Sequence, residues 1–243
     1  MSTPCFAVDL VTFDVGGTLL TFRPDLARGY AEVLAECDVA SDEARLAAAL
    51  DAERPAAGER RRASVPADHR VSVEEGARRR QIFVANVLRR ADVPENDLPR
   101  CTEAVQRAYD SPRMYAVFDD ALPTVRELWS RGLKLGVVAN TWPSMPRILL
   151  DFGFGDYLGF WVISEFVGVE KPHPAIFARA LEIGASEPAR ALHVGDDYAR
   201  DVVGARGVGM QAVLLDRGGA HPAGVEPGTP VIRRLDQLLA DIG

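Results

Sequence analysis

The architecture follows from residues 8–20, Val8-Asp9-Leu10-Val11-Thr12-Phe13-Asp14-Val15-Gly16-Gly17-Thr18-Leu19-Leu20. The first six are a short apolar and β-branched run, which is typical of a buried strand. Asp14 follows directly and is itself followed by a Gly-Gly-Thr turn. Functional sites of parallel α/β sheets lie outside the carboxyl ends of the strands. The stretch therefore predicts a strand that presents a carboxylate as a nucleophile or metal ligand; a strand with an ordinary polar turn is the alternative.

Length and composition narrow the class of protein. The chain has 243 residues, 47% of them hydrophobic, and a net charge of −7. This length suits one large domain or one domain with an insertion, and the negative charge argues against binding to nucleic acid. The sequence shows no leading signal segment and no apolar run near the roughly 18 residues of a membrane span. The chain's three cysteines, Cys5, Cys37 and Cys101, share no metal-type spacing, which favours a reducing compartment. We expect a cytoplasmic monomer or homodimer without nucleic-acid or membrane partners.

Residues 22–115 predict an all-helical insertion. Apolar residues such as Leu26, Tyr30 and Val33 recur at helical spacing, and Ser72 begins a capping box. Residues 55–71 are rich in Arg, Ala and Pro and predict a loop or a frayed helix. Two basic clusters, 59–62 and 78–80, favour a solvated helix face, or a contact with an anionic substrate as the alternative.

From about residue 119 onward, strand and helix patterns alternate. Short apolar runs at 133–139, 161–164, 191–194 and 211–215 predict strands, with helical patterns between them. Repeated strand–helix units predict a parallel α/β sheet with helices on both faces. The expected organisation is a core of residues 1–21 and 116–243, interrupted by the helical insertion of residues 22–115.

Polar residues follow the ends of several predicted strands, which meet at one edge of a parallel sheet. Clustered carboxylates repel one another unless a cation joins them, and Mg²⁺ prefers hard oxygen ligands together with a substrate phosphate. An aspartate nucleophile would form an aspartyl-phosphate, and a lysine beside it would neutralise the phosphoryl charge. The residues concerned are Asp14, Thr18, Asn140, Thr141, Lys171, Asp196, Asp197 and Asp201.

Four segments in this order resemble the motifs of the haloacid dehalogenase (HAD) superfamily. The resemblance implies a Rossmann-like parallel core, a mobile helical cap inserted after the first motif, Mg²⁺, and in most members hydrolysis of a small phosphorylated substrate. It extends over essentially the whole chain. The four segments are Phe13-Asp14-Val15-Gly16-Gly17-Thr18-Leu19, Val137-Val138-Ala139-Asn140, Glu170-Lys171-Pro172-His173-Pro174-Ala175-Ile176-Phe177 and Val194-Gly195-Asp196-Asp197-Tyr198-Ala199-Arg200-Asp201.

The resemblance also implies roles for individual residues. Asp14 would be the nucleophile and a metal ligand, Asp196 the second ligand, and the Gly16 carbonyl the third. Thr18 would support the first turn. Of Asp197 and Asp201, one would orient Lys171 and the other would touch metal-bound water; we group Asp197 with the metal and assign Asp201 a supporting role. Thr18, Asn140, Thr141 and Lys171 are the expected substrate-binding residues.

Two positions depart from the family pattern. Phosphatases of the family usually carry an aspartate as general acid/base at the position of Gly16, and a Ser or Thr hydroxyl at the position of Ala139; Asn140 or Thr141 would have to replace that hydroxyl. A missing general acid costs about 10²–10⁴ in rate. Three functions stay open: a phosphohydrolase suited to acyl phosphates or diphosphates, a dehalogenase-type hydrolase, and a weakly active or repurposed fold that binds a phosphorylated ligand.

Overall fold

The computed structural model describes residues 6–64, 67–219 and 225–242, except the side chains of 61–64. Cys5 and the side chains of Arg61 and Arg62 therefore lie outside the described residues. The chain forms two compact units. The first consists of Met1–Thr21, Asp68–Arg70 and Val117–Gly243, and the second of Phe22–Ala67 and Val71–Ala116. The second unit differs from the expected insertion in residues 68–70 and in Ala116.

The first unit contains a six-stranded sheet in the order β5-β4-β1-β6-β7-β8, and β2 pairs with β3 in a separate ribbon. Every neighbouring pair of the large sheet is parallel. This confirms the predicted parallel α/β sheet, although β8 was not expected. The strands are β1 Leu10–Phe13, β2 Leu20–Phe22, β3 Tyr115–Val117, β4 Lys134–Ala139, β5 Phe160–Ile163, β6 Ala191–Gly195, β7 Gln211–Leu215 and β8 Val231–Ile232.

Helices follow the strands of the first unit and make up most of the second. Those of the second unit are α1 Leu26–Glu36, α2 Glu43–Ser64, α3 Val73–Arg90 and α4 Leu98–Tyr109; those of the first are α5 Ala121–Ser130, α6 Met145–Asp151, α7 Ser164–Val167, α8 Pro174–Gly184, α9 Gly204–Arg206 and α10 Leu238–Asp241. Of the helices in the described part of the chain, none combines the length and apolar character of a membrane span.

Each unit has its own buried apolar residues. In the first, Leu10 and Val138 on the sheet pack with Phe177 of α8. In the second, α1 buries Tyr30 and Leu34. Burial of such side chains contributes about 1.5–3 kcal/mol each relative to leaving them exposed, so apolar burial stabilises both the sheet and the helical unit.

Residues 55–71 were predicted to form a loop or a frayed helix, and the loop is wrong over the first part, because α2 continues through Pro55 to Ser64. A proline inside a helix removes one backbone hydrogen bond and usually kinks the helix. The Ala, Glu and Arg residues on both sides are strong helix formers, and they extend the helix past the proline. The predicted cap of α3 is confirmed, since the Ser72 hydroxyl accepts from the Glu75 amide at 3.2 Å.

The position of β1 fixes the location of the polar strand ends. Phe13 is in register with Val137 of β4 on one side and with Val194 of β6 on the other. The residues that follow these three strands therefore lie at one edge of the sheet. The Asp14 amide continues the ladder by donating to the Val194 carbonyl at 2.9 Å.

Candidate active site

Asp14 stands at the tip of β1, where its carboxylate contacts Lys171. The two side chains form an ion pair with Nζ and Oδ1 2.7 Å apart. Burial raises the pKa of Asp14, and the Lys171 ammonium opposes this shift. A partly exposed carboxylate paired with one ammonium at a strand tip has the location and charge environment that a nucleophile requires.

Lys171 is the centre of the cluster and is 2% exposed. Its ammonium donates to Asp14 Oδ1 at 2.7 Å, to Asp201 Oδ1 at 2.6 Å and to the Val138 carbonyl at 2.8 Å. Burial would lower the pKa of Lys171, but the two carboxylates raise it above its ordinary value. Lys171 is therefore a fixed cation, with each of its three donor positions used.

Asn140 holds the backbone of Lys171. Its side-chain amide accepts from the Lys171 amide at 2.7 Å and donates to the Lys171 carbonyl at 2.9 Å. Both polar atoms of this side chain are therefore bonded to the lysine's main chain. The neighbouring Thr141 amide donates to the Ser164 hydroxyl at 3.1 Å, which ties the end of β4 to α7. The substrate-binding roles of Asn140 and Thr141 stay predictions.

Of Asp197 and Asp201, it is Asp201 whose carboxylate contacts Lys171. The second oxygen of Asp201 accepts from the Asp197 amide at 2.9 Å. His193 Nε2 lies 3.1 Å from Asp201 Oδ1, and Thr12 Oγ1 lies 2.9 Å from the other ring nitrogen. Burial would raise the pKa of Asp201, but Lys171 and His193 hold it well below its usual range. His193 is fully buried in this network.

Asp197 is oriented differently from Asp201. Its carboxylate accepts from the Arg200 amide at 2.9 Å and pairs with the Arg200 guanidinium at 2.9 Å. It thereby caps the π-helical turn Tyr198–Val203. The metal role predicted for Asp197 stays a prediction.

Three carboxylates converge at the sheet edge. Asp14, Asp196 and Asp201 offer oxygen atoms that all lie within 4.8 Å of one another. Burial, followed by the nearby Asp14 carboxylate, raises the pKa of Asp196 to about 7. Lys171 bonds to the carboxylates of Asp14 and Asp201, so one ammonium faces a group of three carboxylates. A cluster of hard oxygen donors with excess negative charge is chemically suited to Mg²⁺, so the residues fit the expected metal.

The turn after β1 is packed against Asp196. Gly17 has a φ of +78°, and a Cβ placed there would lie 2.2 Å from Asp196 Oδ2, so the turn requires glycine for two reasons. At Gly16 an added Cβ would meet nothing within 4 Å. Thr18 is fully buried, and within the described part of the chain its hydroxyl has no hydrogen-bond partner. The roles predicted for Gly16 and Thr18 stay predictions.

The sequence patterns did not predict two residues that contact the turn at this edge. Arg217, just after β7, donates to the carbonyls of Gly17 and Thr18 and pairs with the buried Asp120. The available indication was positional, because Arg217 lies two residues after the predicted strand 211–215. Asp120 lies before a helix far away in the sequence, and no local pattern connects it to the turn.

A protein-family model matches most of the chain. A model described as haloacid dehalogenase-like hydrolase matches residues 8–209, which is most of the chain. The chain belongs to the haloacid dehalogenase-like hydrolase family.

Individual relatives extend this comparison. The haloacid dehalogenase-like hydrolase domain-containing protein 3 of Bos taurus is 38% identical over 131 residues, which cover 54% of this chain and 49% of that protein. The chain thus spans about half the length of that relative. The phosphoserine phosphatase of Thermus thermophilus is 31% identical over 158 residues, covering 65% of this chain and 62% of that protein. The crystal structure of an HAD phosphatase from Thermococcus onnurineus matches with a TM-score of 0.60 and 26% identity, covering 95% of this chain and 96% of that one.

Proposed function

We propose that this hydrolase is a Mg²⁺-dependent phosphatase that transfers a phosphoryl group from a small molecule to Asp14. The observation that carries the proposal is the Lys171 ammonium, held between Asp14 and Asp201 at 2.7 and 2.6 Å. A fixed cation at the nucleophile would stabilise the negative charge of a phosphoryl group as it is transferred. The relative from Thermus thermophilus named phosphoserine phosphatase supports the same reaction class.

The reaction would proceed in two displacements. In the first, an Asp14 oxygen attacks phosphorus, the bond to the leaving group breaks, and the leaving group keeps the electron pair. In the second, water attacks the same phosphorus, the bond from phosphorus to the Asp14 oxygen breaks, and the Asp14 carboxylate is restored while phosphate leaves with the hydrogens of the water. Throughout, Lys171 pairs with the aspartate oxygen, and Asn140 and Asp201 keep the lysine in place.

The proposed metal ligands are Asp14, Asp196 and the Gly16 carbonyl, with Asp197 expected nearby. Bound Mg²⁺ would neutralise charge on the phosphoryl oxygens. Burial and, after it, the neighbouring carboxylates raise the pKa of Asp196 to about 7, and the same ion would favour the ionised form of this carboxylate.

The proposed substrates carry good leaving groups. Gly16 has no side chain to protonate the departing oxygen, and Ala139 has no hydroxyl for the phosphoryl group. A leaving group of low pKa needs little protonation, so acyl phosphates or diphosphates suit this site better than alkyl phosphates. We further propose that the protein acts in the cytoplasm as a monomer or homodimer, without nucleic-acid or membrane partners, in keeping with its net charge of −7.

A phosphorylated-metabolite screen with and without Mg²⁺ tests the proposal. We expect Mg²⁺-dependent turnover of acetyl phosphate by the wild type and none by Asp14→Asn. The open space at Gly16 admits a side chain, so Gly16→Asp should raise turnover of an alkyl phosphate such as glycerol phosphate by about 10²-fold. Equal activity of wild type and Asp14→Asn would overturn the proposal.

A phosphoryl-binding fold with weak catalysis is the second candidate, and the absence of side-chain donors at Gly16 and Ala139 favours it. In that case the wild type would turn over no substrate, while beryllofluoride with Mg²⁺ would still raise the melting temperature. Release of chloride from a 2-haloacid would instead favour the dehalogenase-type reaction.

A further inference from the structure

Arg217 binds the turn that follows β1. Its Nε donates to the Gly17 carbonyl at 3.2 Å and its Nη2 to the Thr18 carbonyl at 2.9 Å. Two successive peptide groups are thereby fixed by one side chain, which is 18% exposed. Guanidinium groups suit this arrangement because their five donors lie in one rigid plane.

The other side of the guanidinium is held by Asp120 and Phe118. Arg217 donates to both Asp120 oxygens, at 2.9 and 2.8 Å, and its Cζ lies 3.8 Å from the centre of the Phe118 ring. The Asp120 side chain is fully buried and also accepts from the Leu235 amide at 2.8 Å. Bidentate pairing and ring stacking together leave the guanidinium one orientation.

The fixed turn is the one that touches the carboxylate cluster. Gly17 lies directly against the Asp196 carboxylate, and its amide donates to the Leu20 carbonyl at 2.8 Å. The Gly16 carbonyl, a proposed metal ligand, belongs to the same peptide group as that amide. A shift of the Gly17 carbonyl would therefore move both the Gly16 carbonyl and the surface that confines Asp196.

We propose that Arg217 is a positioning residue, which holds the Gly16–Thr18 turn in the geometry required to bind the metal. The expected effect of Arg217 on catalysis rests on the proposed function, whereas its expected effect on the conformation of the turn does not. Arg217 acts through the turn's carbonyls and through Asp120, so it alters the affinity for Mg²⁺ and the rate more than the affinity for substrate.

The test compares Arg217→Met and Arg217→Lys with the control Arg234→Met. Arg234 also pairs with aspartates, Asp119 at 3.3 Å and Asp236 at 3.1 Å, but it is 48% exposed and these pairs do not involve the turn. Three quantities are measured: hydrogen exchange at the Gly17, Leu19 and Leu20 amides of the metal-free protein, the Mg²⁺ dissociation constant by calorimetry, and kcat and KM for acetyl phosphate.

For Arg217→Met we expect faster exchange at the three amides, Mg²⁺ binding weaker by about 10- to 100-fold, and a similar fall in kcat. KM should change by less than about threefold, because a positioning group of this kind contributes little to ground-state binding. Arg217→Lys keeps the charge but loses the planar fork and should recover only part of the loss. Arg234→Met should match the wild type in all three measurements.

Failure of this inference is distinguishable from failure of the proposed function. If the wild type hydrolyses no substrate, exchange and Mg²⁺ affinity still decide the role of Arg217, and exchange alone decides it if Mg²⁺ does not bind. Unchanged exchange and unchanged Mg²⁺ affinity in Arg217→Met would overturn the inference, as would equal losses in Arg234→Met. If Arg217→Met does not fold, Arg217→Lys decides by the same comparison.

Discussion

The buried Glu53 carboxylate of the second unit and the group of three carboxylates in the first unit differ in how their charge is balanced. In the second unit, the fully buried Glu53 accepts from Asn86 at 2.9 Å and pairs with Arg90 at 3.3 Å and with Arg60. One carboxylate there has two guanidinium groups, both partly exposed. In the first unit, the three carboxylates of Asp14, Asp196 and Asp201 share Lys171.

The difference separates a structural cluster from a reactive one. A buried carboxylate is costly unless it is paired and hydrogen-bonded, and the Glu53 cluster meets both conditions. At the sheet edge three carboxylates have one ammonium beside them, and burial followed by the Asp14 carboxylate raises the pKa of Asp196 to about 7. Excess negative charge of this kind favours a cation and a reactive carboxylate.

The largest expected effect comes from removing the shared cation. Lys171→Met leaves Asp14 and Asp201 without their ammonium partner, so kcat for acetyl phosphate should fall about 10²- to 10⁴-fold, which is typical for loss of a transition-state electrostatic partner. Steady-state kinetics measure it. Arg90→Met removes a cation from the structural cluster and should change kcat by less than about twofold; an equal fall in both variants would mean that the clusters do not differ.

A smaller effect is expected at the turn. Gly17→Ala should weaken Mg²⁺ binding by about tenfold or more, because the new methyl group would displace the Asp196 carboxylate, from which a Cβ would lie only 2.2 Å. Calorimetric titration measures the affinity. Gly132→Ala is the control, since Gly132 also has a positive φ, +83°, but an added Cβ meets nothing within 4 Å. Similar losses in both variants would show that backbone strain, and not contact with Asp196, is responsible.

The pH dependence of stability provides a third comparison. The pKa of Asp196 is raised to about 7 from 3.8, so the folded metal-free protein retains a proton that the unfolded chain releases. Stability should therefore decrease as pH rises from about 5 to 7, by up to about 1.4 kcal/mol per pH unit. Asp14, whose pKa is also raised by burial, contributes with the same sign.

Denaturant unfolding at several pH values in the presence of a chelator measures this slope. Asp196→Asn should reduce the slope, and saturating Mg²⁺ should do the same in the wild type. Asp201, whose pKa is lowered, affects stability only at more acidic pH. The buried His193, whose pKa is lowered from 6.5, opposes the slope below about pH 6.5, so the comparison of Asp196→Asn with the wild type isolates the contribution of Asp196. An unchanged slope in Asp196→Asn would contradict the charge imbalance inferred for the cluster.

The smallest effect on the site should come from Glu53→Gln. The substitution removes a hydrogen-bonded buried charge and should lower the free energy of unfolding by about 1–3 kcal/mol. Mg²⁺ affinity and kcat should stay within about twofold of the wild type. Denaturant unfolding and calorimetry together test both halves of this prediction, and a weakened Mg²⁺ affinity would contradict the assignment of Glu53 to a purely structural cluster.

Much of the fold could be predicted because most strands of the sheet are short apolar runs that alternate with helical patterns. The apolar run that ends at Asp14 was sufficient to predict β1, and the same pattern predicted β4 and β6. The extension of α2 past Pro55 could not be predicted, because a proline is a local helix breaker whose effect depends on the helix around it. The short β8, Val231–Ile232, has too few residues to show a period.

The site was predictable as a set of residues but not as a set of contacts. The sequence did not distinguish Asp197 from Asp201, because both fit an acidic motif. In the structure Asp201 forms an ion pair with Lys171, and Asp197 forms one with Arg200. Arg217 could not be connected with the turn, since a lone arginine has no characteristic spacing and its partner is distant in sequence. Residues that act through tertiary contacts leave little pattern in the chain.

The identity of the phosphoryl acceptor tests the central claim most directly. Wild-type protein is incubated with acetyl phosphate and Mg²⁺, and the reaction is quenched in acid in less than the time of one catalytic turnover. The protein is then digested and its peptides are analysed by mass spectrometry. We expect one phosphoryl group on Asp14, with none on the corresponding peptide of Asp14→Asn. Mg²⁺-dependent turnover with no phosphoryl group on Asp14 at any quench time, together with full activity of Asp14→Asn, would contradict the claim.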